Sequence, residues 1–141
     1  MWRMHRSECL AERDRRLFVW SAFLLGSIRL GLWLLPFERL RCLLARAARW
    51  SCQASADRVV WAVRAASRYV PMSTCLTQAL ATQVLLGRAD RPASVRIGVA
   101  RDRGGRLRAH AWVESQGKVL IGGLEDLAHY APFPPLGDEM L

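Results

Sequence analysis

The pattern of hydrophobic positions divides the chain into a helical first half and a second half with the two-residue period of β-strands. Residues 17–35 are almost entirely apolar and are interrupted by Arg29. Their length is at the lower limit for a membrane span, but a charge near the middle and the following Pro36 disfavour one. From Pro36 onward the pattern predicts a basic amphipathic helix. Its apolar face comprises Leu40, Leu43, Leu44 and Ala47.

Two more helices are predicted in the middle of the chain. The first covers residues 56–70, with Asp57 as its N-cap and Pro71 directly after its end. The second begins at Cys75, because Ser73 and Thr74 immediately before it are both suitable N-cap residues. Its apolar or small positions recur at intervals of three and four, at Leu76, Ala79, Leu80, Gln83, Val84 and Gly87.

Three short segments then alternate like strands, at residues 94–102, 106–114 and 119–123, and the turn signals DRGG and SQGK separate them. The first segment places Val95, Ile97 and Val99 on one face. The second places Leu107, Ala109, Ala111 and Val113 on one face, and Arg108, His110, Trp112 and Glu114 on the other. Pairing the last two strands across Gln116 and Gly117 sets His110 opposite Gly123.

Helices followed by an antiparallel meander predict an α+β fold. Residues 1–50 form an N-terminal helical segment, and residues 51–141 form the main domain. The proline-rich end of the chain is expected to be extended or mobile. Three interpretations of the first segment remain open, namely a helical pair that packs on the domain, a docking surface for a partner protein, or a membrane contact through residues 17–35.

The net charge of the chain bears mainly on which partners it could bind. The chain has 141 residues and a formal net charge of +9, with 20 arginines and one lysine. Arginine suits carboxylate and phosphate partners, so an acidic peptide, an anionic membrane or a nucleic acid is compatible with the composition, although nucleic acid is not favoured by charge alone. Four arginines cluster on the first hairpin, at positions 101, 103, 106 and 108; a solvated basic face is the simpler interpretation of that cluster.

The cysteine pattern argues against a metal centre. The four cysteines, at positions 9, 42, 52 and 75, fit no zinc-binding spacing. The charged N-terminus lacks the features of a secretory signal, which favours a cytoplasmic location with reduced thiols. No glycine-rich phosphate loop is present in the sequence, so neither ATP nor another cofactor is expected.

Cys75 is the candidate nucleophile. A cysteine in the first turn of a helix lies at the positive end of the helix dipole, where unpaired N–H groups favour the thiolate. The same N–H groups can bind the oxyanion of a tetrahedral intermediate. A buried packing role is the alternative, because cysteine is often simply part of a core.

His110 is the candidate acid and base. A thiolate that cleaves an amide needs a group to protonate the leaving amine, and at neutral pH this is usually histidine. His5 lies in the charged N-terminus and His129 in the C-terminal stretch, whereas His110 lies on a predicted strand. A helix-start cysteine followed by a histidine on a hairpin is the arrangement of Cys–His hydrolases.

These residues carry a specific resemblance. The motifs CLTQALATQVLL, SVRIGV and AHAWVESQGKVLIGG resemble the transglutaminase-like cysteine peptidases of lasso peptide biosynthesis, in the split form that has no leader-recognition module of its own. The resemblance covers roughly residues 55–133. The segment RLGLWLLPFERLRCLLAR is also similar to the helical segment that precedes the protease domain in that family.

The resemblance implies a transglutaminase-like, papain-like core and a function. Members of the family remove the leader from a ribosomally made precursor peptide, with Cys75 as nucleophile and His110 as general acid and base. A separate recognition protein would deliver the leader, and a macrolactam synthetase that uses ATP would act next. The apolar N-terminal helix is the candidate interface for the recognition protein. An extended substrate would be held partly by strand addition.

One position departs from the family pattern. The family has an aspartate about a dozen residues after the histidine, where this chain has Gly122. Asp126 is the preferred substitute to orient the imidazole, ahead of Glu125, and a backbone carbonyl or Gln78 would also serve. Glu114 shares the face of His110 but lies about 13 Å away along the strand.

The remaining residues near the candidate site concern the substrate. Trp112 shields the site or lines the substrate channel, unless it is a plain core tryptophan. Gly122 and Gly123 would allow a peptide backbone to approach closely. Three alternatives to the leader peptidase stay open, namely acyl transfer to an amine by the same fold, a non-catalytic peptide-binding module, and a membrane-associated adaptor.

Overall fold

The computed structural model describes residues 2–47, 54–88, 92–123 and 127–133. Four helices come first, and a four-stranded antiparallel sheet follows, so the predicted α+β class is confirmed. The helices are α1 (Trp2–Leu34), α2 (Phe37–Ala47), α3 (Ala56–Ser67) and α4 (Cys75–Arg88). The strands are β1 (Ser94–Arg101), β2 (Leu107–Ser115), β3 (Lys118–Ile121) and β4 (Ala131–Pro132), with a short 3-10 helix at Leu127–His129.

The order of strands across the sheet is β3-β2-β1-β4. β1 and β2 pair in register, with Val95 opposite Val113 and Gly98 opposite His110. A bulge between Val113 and Glu114 shifts the pairing of β2 with β3, so that Val113 lies opposite Ile121. The sequence-based pairing, which set His110 opposite Gly123, assumed a regular hairpin. The bulge makes that register wrong by one residue at Val113, whose partner is Ile121 and not Leu120.

α4 is the central helix of the fold. It packs between α1, α3 and the inner face of the sheet. The sequence predicted one apolar stripe, but the helix is buried on almost every side because it has neighbours all around it. Its buried residues are Thr77, Ala79, Leu80, Ala81, Thr82, Val84, Leu85 and Leu86. Gly87, expected on the apolar face, is exposed.

α1 belongs to the same core as the rest of the fold. Leu17, Leu25 and Ile28 are buried in one hydrophobic cluster with residues of α3, α4 and the sheet. An ion pair between Asp14 and Arg58 also joins α1 to α3. The Arg29 side chain donates to Sδ of Met72, in the connection between α3 and α4, over 3.8 Å. The arginine that interrupts the apolar run therefore has a partner at the surface of the fold.

The opposite side of α1 carries an apolar stripe that is largely exposed among the described residues. Its large exposed side chains are Val19, Trp20, Phe23, Leu30, Trp33 and Leu34. By length and composition alone, residues Glu12–Leu34 could cross a membrane. Of the most apolar stretch within them, 22% is buried in the fold. In α2, Leu40 is buried as predicted, whereas Leu43 is exposed and does not join it.

Two helix ends differ from the sequence-based prediction. The N-cap of α3 is Ser55, whose hydroxyl accepts a hydrogen bond from the Arg58 N–H, and Asp57 lies within the first turn. A carboxylate in the first turn and a hydroxyl at the cap both favour a helix start, which is why the sequence signal is shifted by two residues. The helix ends at Ser67, three residues earlier than predicted.

The turn between β1 and β2 is organised by one carboxylate. Asp102 accepts hydrogen bonds from the N–H groups of Gly104 and Arg106 and from Nε of Arg108. These donors, first among them the Arg106 N–H, lower the pKa of the Asp102 carboxyl below its ordinary value. Part of the basic charge of this hairpin is therefore compensated within the turn itself.

Candidate active site

Cys75 is the first residue of α4, as the sequence predicted. Thr74, and not Ser73, caps the helix, because its Oγ1 accepts a hydrogen bond from the Thr77 N–H at 3.3 Å. The Ser73 hydroxyl is buried without a partner among the described residues. Cys75 is a free, half-buried thiol at the margin of the core. Its own N–H and that of Leu76 lie in the first turn, where a helix has no internal acceptor for them.

His110 is held by a backbone carbonyl. Its Nε2 lies 2.6 Å from the carbonyl oxygen of Gly122. A carbonyl oxygen only accepts, so Nε2 carries the proton in this contact. In a neutral imidazole the other nitrogen, Nδ1, then has the free lone pair. The contact fixes the tautomer and the direction in which the ring can act as a base.

Two aromatic rings frame the imidazole. The Trp112 ring stacks beside it at a centroid distance of 6.3 Å and an angle of 18°, and the Tyr130 ring lies at 5.7 Å. Trp112 is buried, and its indole N–H donates to Oε1 of Glu114 over 2.7 Å. Glu114 therefore positions the tryptophan, while it makes no contact with His110. Tyr130 was not predicted, because no periodic pattern marks the short segment that carries it.

The structure does not join the two candidate catalytic side chains. Ala111 and Val113 pack in the core with α4. Since neighbouring side chains of a strand point to opposite faces, His110 and Trp112 project from the other face of β2. Among the described residues, no hydrogen bond links Sγ of Cys75 to the imidazole. In this conformation the Cys75 thiol and the His110 imidazole are therefore not hydrogen-bonded as a catalytic pair.

Gly122 approaches β2 too closely for any side chain. Its φ is +81°, and a Cβ at this position would lie 2.7 Å from the Ala111 carbonyl oxygen. The glycine that departs from the family pattern therefore has its own structural reason. It brings a main-chain carbonyl to the imidazole at a position where a carboxylate was expected. Gly123 is exposed, with its nearest Cβ contact at Val119.

Of the other side chains predicted to orient His110, only Gln78 is among the described residues. Asp126 and Glu125 lie outside the described residues. Gln78 is half-buried on α4, and no hydrogen bond joins its side chain to His110 within the part of the chain that the structure describes. The backbone-carbonyl alternative is the one that the geometry supports. The described residues also contain no cluster of histidine, cysteine and carboxylate side chains that would hold a metal ion.

The Gly122→Ala variant tests this contact. We expect the substitution to lower the free energy of unfolding by about 2–4 kcal/mol, because it adds both a left-handed strain and a steric overlap. Gly117→Ala is the matched control, since Gly117 has a φ of +77° but nothing within 4 Å of its Cβ. Urea denaturation of both variants measures the difference. Equal destabilisation by the two substitutions would show that the close approach at Gly122 is unimportant.

Comparison with known proteins agrees with the fold. The α+β domain carries a cysteine at the start of its central helix and a histidine on the sheet, the two residue types that Cys–His thiol enzymes use. Residues 22–134 match the transglutaminase-like superfamily, and the chain belongs to this superfamily. No curated protein and no solved structure matches the chain. The fold is compatible with cysteine peptidase or acyltransferase activity, both of which are common in this superfamily.

Proposed function

We propose that the protein is a cysteine peptidase that removes the leader from a ribosomally made lasso peptide precursor. The observation that carries the proposal is the position of Cys75 as the first residue of a capped, central helix in a transglutaminase-like fold. The oriented ring of His110 supports it, because its Nδ1 is left free to exchange a proton. The motifs around both residues resemble those of the lasso leader peptidases.

The chemistry has two steps. In the first, the Cys75 thiolate attacks the scissile carbonyl carbon, and the N–H groups at the start of α4 bind the developing oxyanion. The protonated imidazole of His110 gives its proton to the leaving amine as the C–N bond breaks. In the second step, His110 takes a proton from water, and the resulting hydroxide cleaves the thioester. The leader leaves as its carboxylic acid, and the Cys75 thiolate and the protonated His110 imidazole are restored.

This chemistry requires Sγ of Cys75 and Nδ1 of His110 to approach each other. Cys75 begins the helix that packs on the inner face of the sheet, whereas His110 projects from the outer face. Substrate binding must therefore rearrange the helix start or the strand, and not only tighten an existing hydrogen bond. In the proposed mechanism the bound precursor bridges the helix start and the outer face of β2. The Trp112 and Tyr130 rings would then restrict the access of bulk water to the imidazole.

The exposed stripe on α1 is the proposed docking surface for the leader-recognition protein. Six large apolar side chains on one side of a helix exceed the scattered exposure that is ordinary for a protein surface. The Arg88 guanidinium lies 5.3 Å from the ring centroid of Trp20, so the stripe has a basic border. In the proposed cytoplasmic sequence of reactions, the macrolactam synthetase then consumes the freed amino terminus of the core peptide.

Mass spectrometry of the products tests the function. We expect the purified protein, with the recognition protein present, to convert the precursor into free leader and free core. Addition of a primary amine distinguishes hydrolysis from transfer, since a transferase would form the leader amide. Failure to cleave with the recognition protein both present and absent would contradict the proposal.

One observation favours a second candidate function. Because no hydrogen bond joins Cys75 to His110 within the described part of the chain, a non-catalytic peptide-binding module is consistent with the same fold. Alkylation by iodoacetamide near neutral pH separates the two. A peptidase requires a Cys75 thiol that reacts faster than the exposed thiol of Cys42, whereas a binding module has no such requirement.

A further inference from the structure

A cleft lies between α3 and the edge strand β3, and neither Cys75 nor His110 is part of its lining. Its volume is about 610 Å³, and its floor and walls are formed by one face of α3 and by Lys118, Val119 and Leu120. The lining combines an aromatic side chain, aliphatic side chains and charged groups. None of these residues has a role in the chemistry proposed above.

The lining of the cleft has a net positive charge. Its lining includes three cations, Arg64, Arg68 and Lys118, and one carboxylate, Asp57. All four side chains are exposed. Among the described residues, none of the three cations has an ion-pair partner. An occupant with carboxylates would therefore complement the cleft, and the bidentate fork of arginine suits such groups.

The cleft also presents apolar side chains and strand backbone. The Trp61 side chain is 51% exposed and Val119 is 40% exposed, so both are available for contact. Among the described residues, β3 is an edge strand that pairs with β2 alone. Unpaired N–H and C=O groups along a strand edge form a template for an added strand. An extended peptide would pair with this edge and place alternate side chains in the cleft.

From these observations we propose that the α3–β3 cleft binds an extended peptide segment in which carboxylate side chains alternate with apolar ones. The segment adds to the β3 edge, its apolar side chains contact Trp61 and Val119, and its carboxylates pair with Arg64, Arg68 and Lys118. We identify the bound segment as part of the precursor peptide, and this identification rests on the proposed function.

The position of the cleft fits a role in substrate delivery. Leu120, in its lining, is two residues before Gly122, whose carbonyl holds His110. Two residues of extended strand span about 7 Å. A peptide bound along β3 would therefore run toward the strand end that orients the imidazole, on the far side of β3 from β2.

The test is a binding measurement with the full-length Cys75→Ala chain, which separates binding from cleavage. The probe is a fluorescein-labelled decapeptide of alternating glutamate and valine, followed by fluorescence anisotropy. We expect it to bind, and a decapeptide of alternating lysine and valine not to bind. A probe with N-methyl groups on alternate residues loses strand hydrogen bonds, and we expect it to bind at least about tenfold more weakly.

Reversing the charge of single cleft residues tests whether the acidic probe binds in the α3–β3 cleft. We expect Arg64→Glu, Arg68→Glu and Lys118→Glu each to weaken binding of the acidic probe by about tenfold. Arg39→Glu, an exposed substitution on α2 outside the cleft, is the control that keeps the affinity. Equal weakening by Arg39→Glu, equal binding of the lysine probe, or absence of binding would each overturn the proposal. If the probe binds as expected but the wild-type chain cleaves nothing, the cleft is supported and the peptidase function is not.

Discussion

The Cys75→Ala variant is expected to lose cleavage of the precursor to background while it keeps its fold. Without Sγ no thioester forms, and removal of a covalent nucleophile reduces turnover by about 10⁵–10⁶-fold in well-studied proteases. The methyl group of alanine occupies the same half-buried site at the start of α4, so the helix cap at Thr74 and the core stay intact. Single-turnover cleavage followed by mass spectrometry measures the loss.

Cys42→Ala is the matched control for this variant. Cys42 is a free and exposed thiol on α2, so its removal tests whether any thiol, or only the one at the helix start, is required. We expect cleavage at the wild-type rate, with the same melting temperature for both variants. Cleavage by Cys75→Ala at a rate close to that of wild type would rule out the proposed mechanism.

The His110→Ala variant is expected to show the second large loss. The imidazole both protonates the leaving amine and activates water, and a positioned acid or base contributes about 10²–10⁴-fold. We expect the rate to decrease by this factor while affinity for the precursor is unchanged, because the ring contacts the reacting atoms and not the rest of the peptide. Measurement of kcat and KM separates these effects.

His129→Ala is the control for the imidazole. His129 is exposed at the end of the short 3-10 helix and adjoins Tyr130 in the chain. A loss of activity in this variant as large as that in His110→Ala would point to a structural disturbance of the aromatic frame. Circular dichroism of both variants establishes that the sheet is retained.

The sequence was sufficient to predict the local elements that carry the candidate site. The change from helical to strand period predicted both hairpins, and two possible caps before Cys75 predicted the start of α4. These signals are local, because they depend on residues close together in the chain. The N-cap of α3 was misplaced because Ser55 and Asp57 both satisfy the local rule.

The parts that the sequence did not predict depend on contacts between distant residues. The burial of α4 on almost all sides follows from neighbours on α1, α3 and the sheet, which its own pattern does not encode. The bulge at Val113 and Glu114 shifts a register that the turn residues alone would set differently. The acceptor for His110 is a main-chain atom, and any residue type supplies one, so the sequence offered a backbone carbonyl only as one of several alternatives.

The carbonyl of Gly122 has a consequence for acid tolerance. A carboxylate that orients an imidazole becomes protonated in acid, near pH 4 for an ordinary aspartate, and its interaction with the ring then changes. A peptide carbonyl has no such transition and remains an acceptor throughout that range. Among the described residues, the acceptor that orients the His110 ring is therefore a group that acid does not titrate, and protonation of a carboxylate does not remove it.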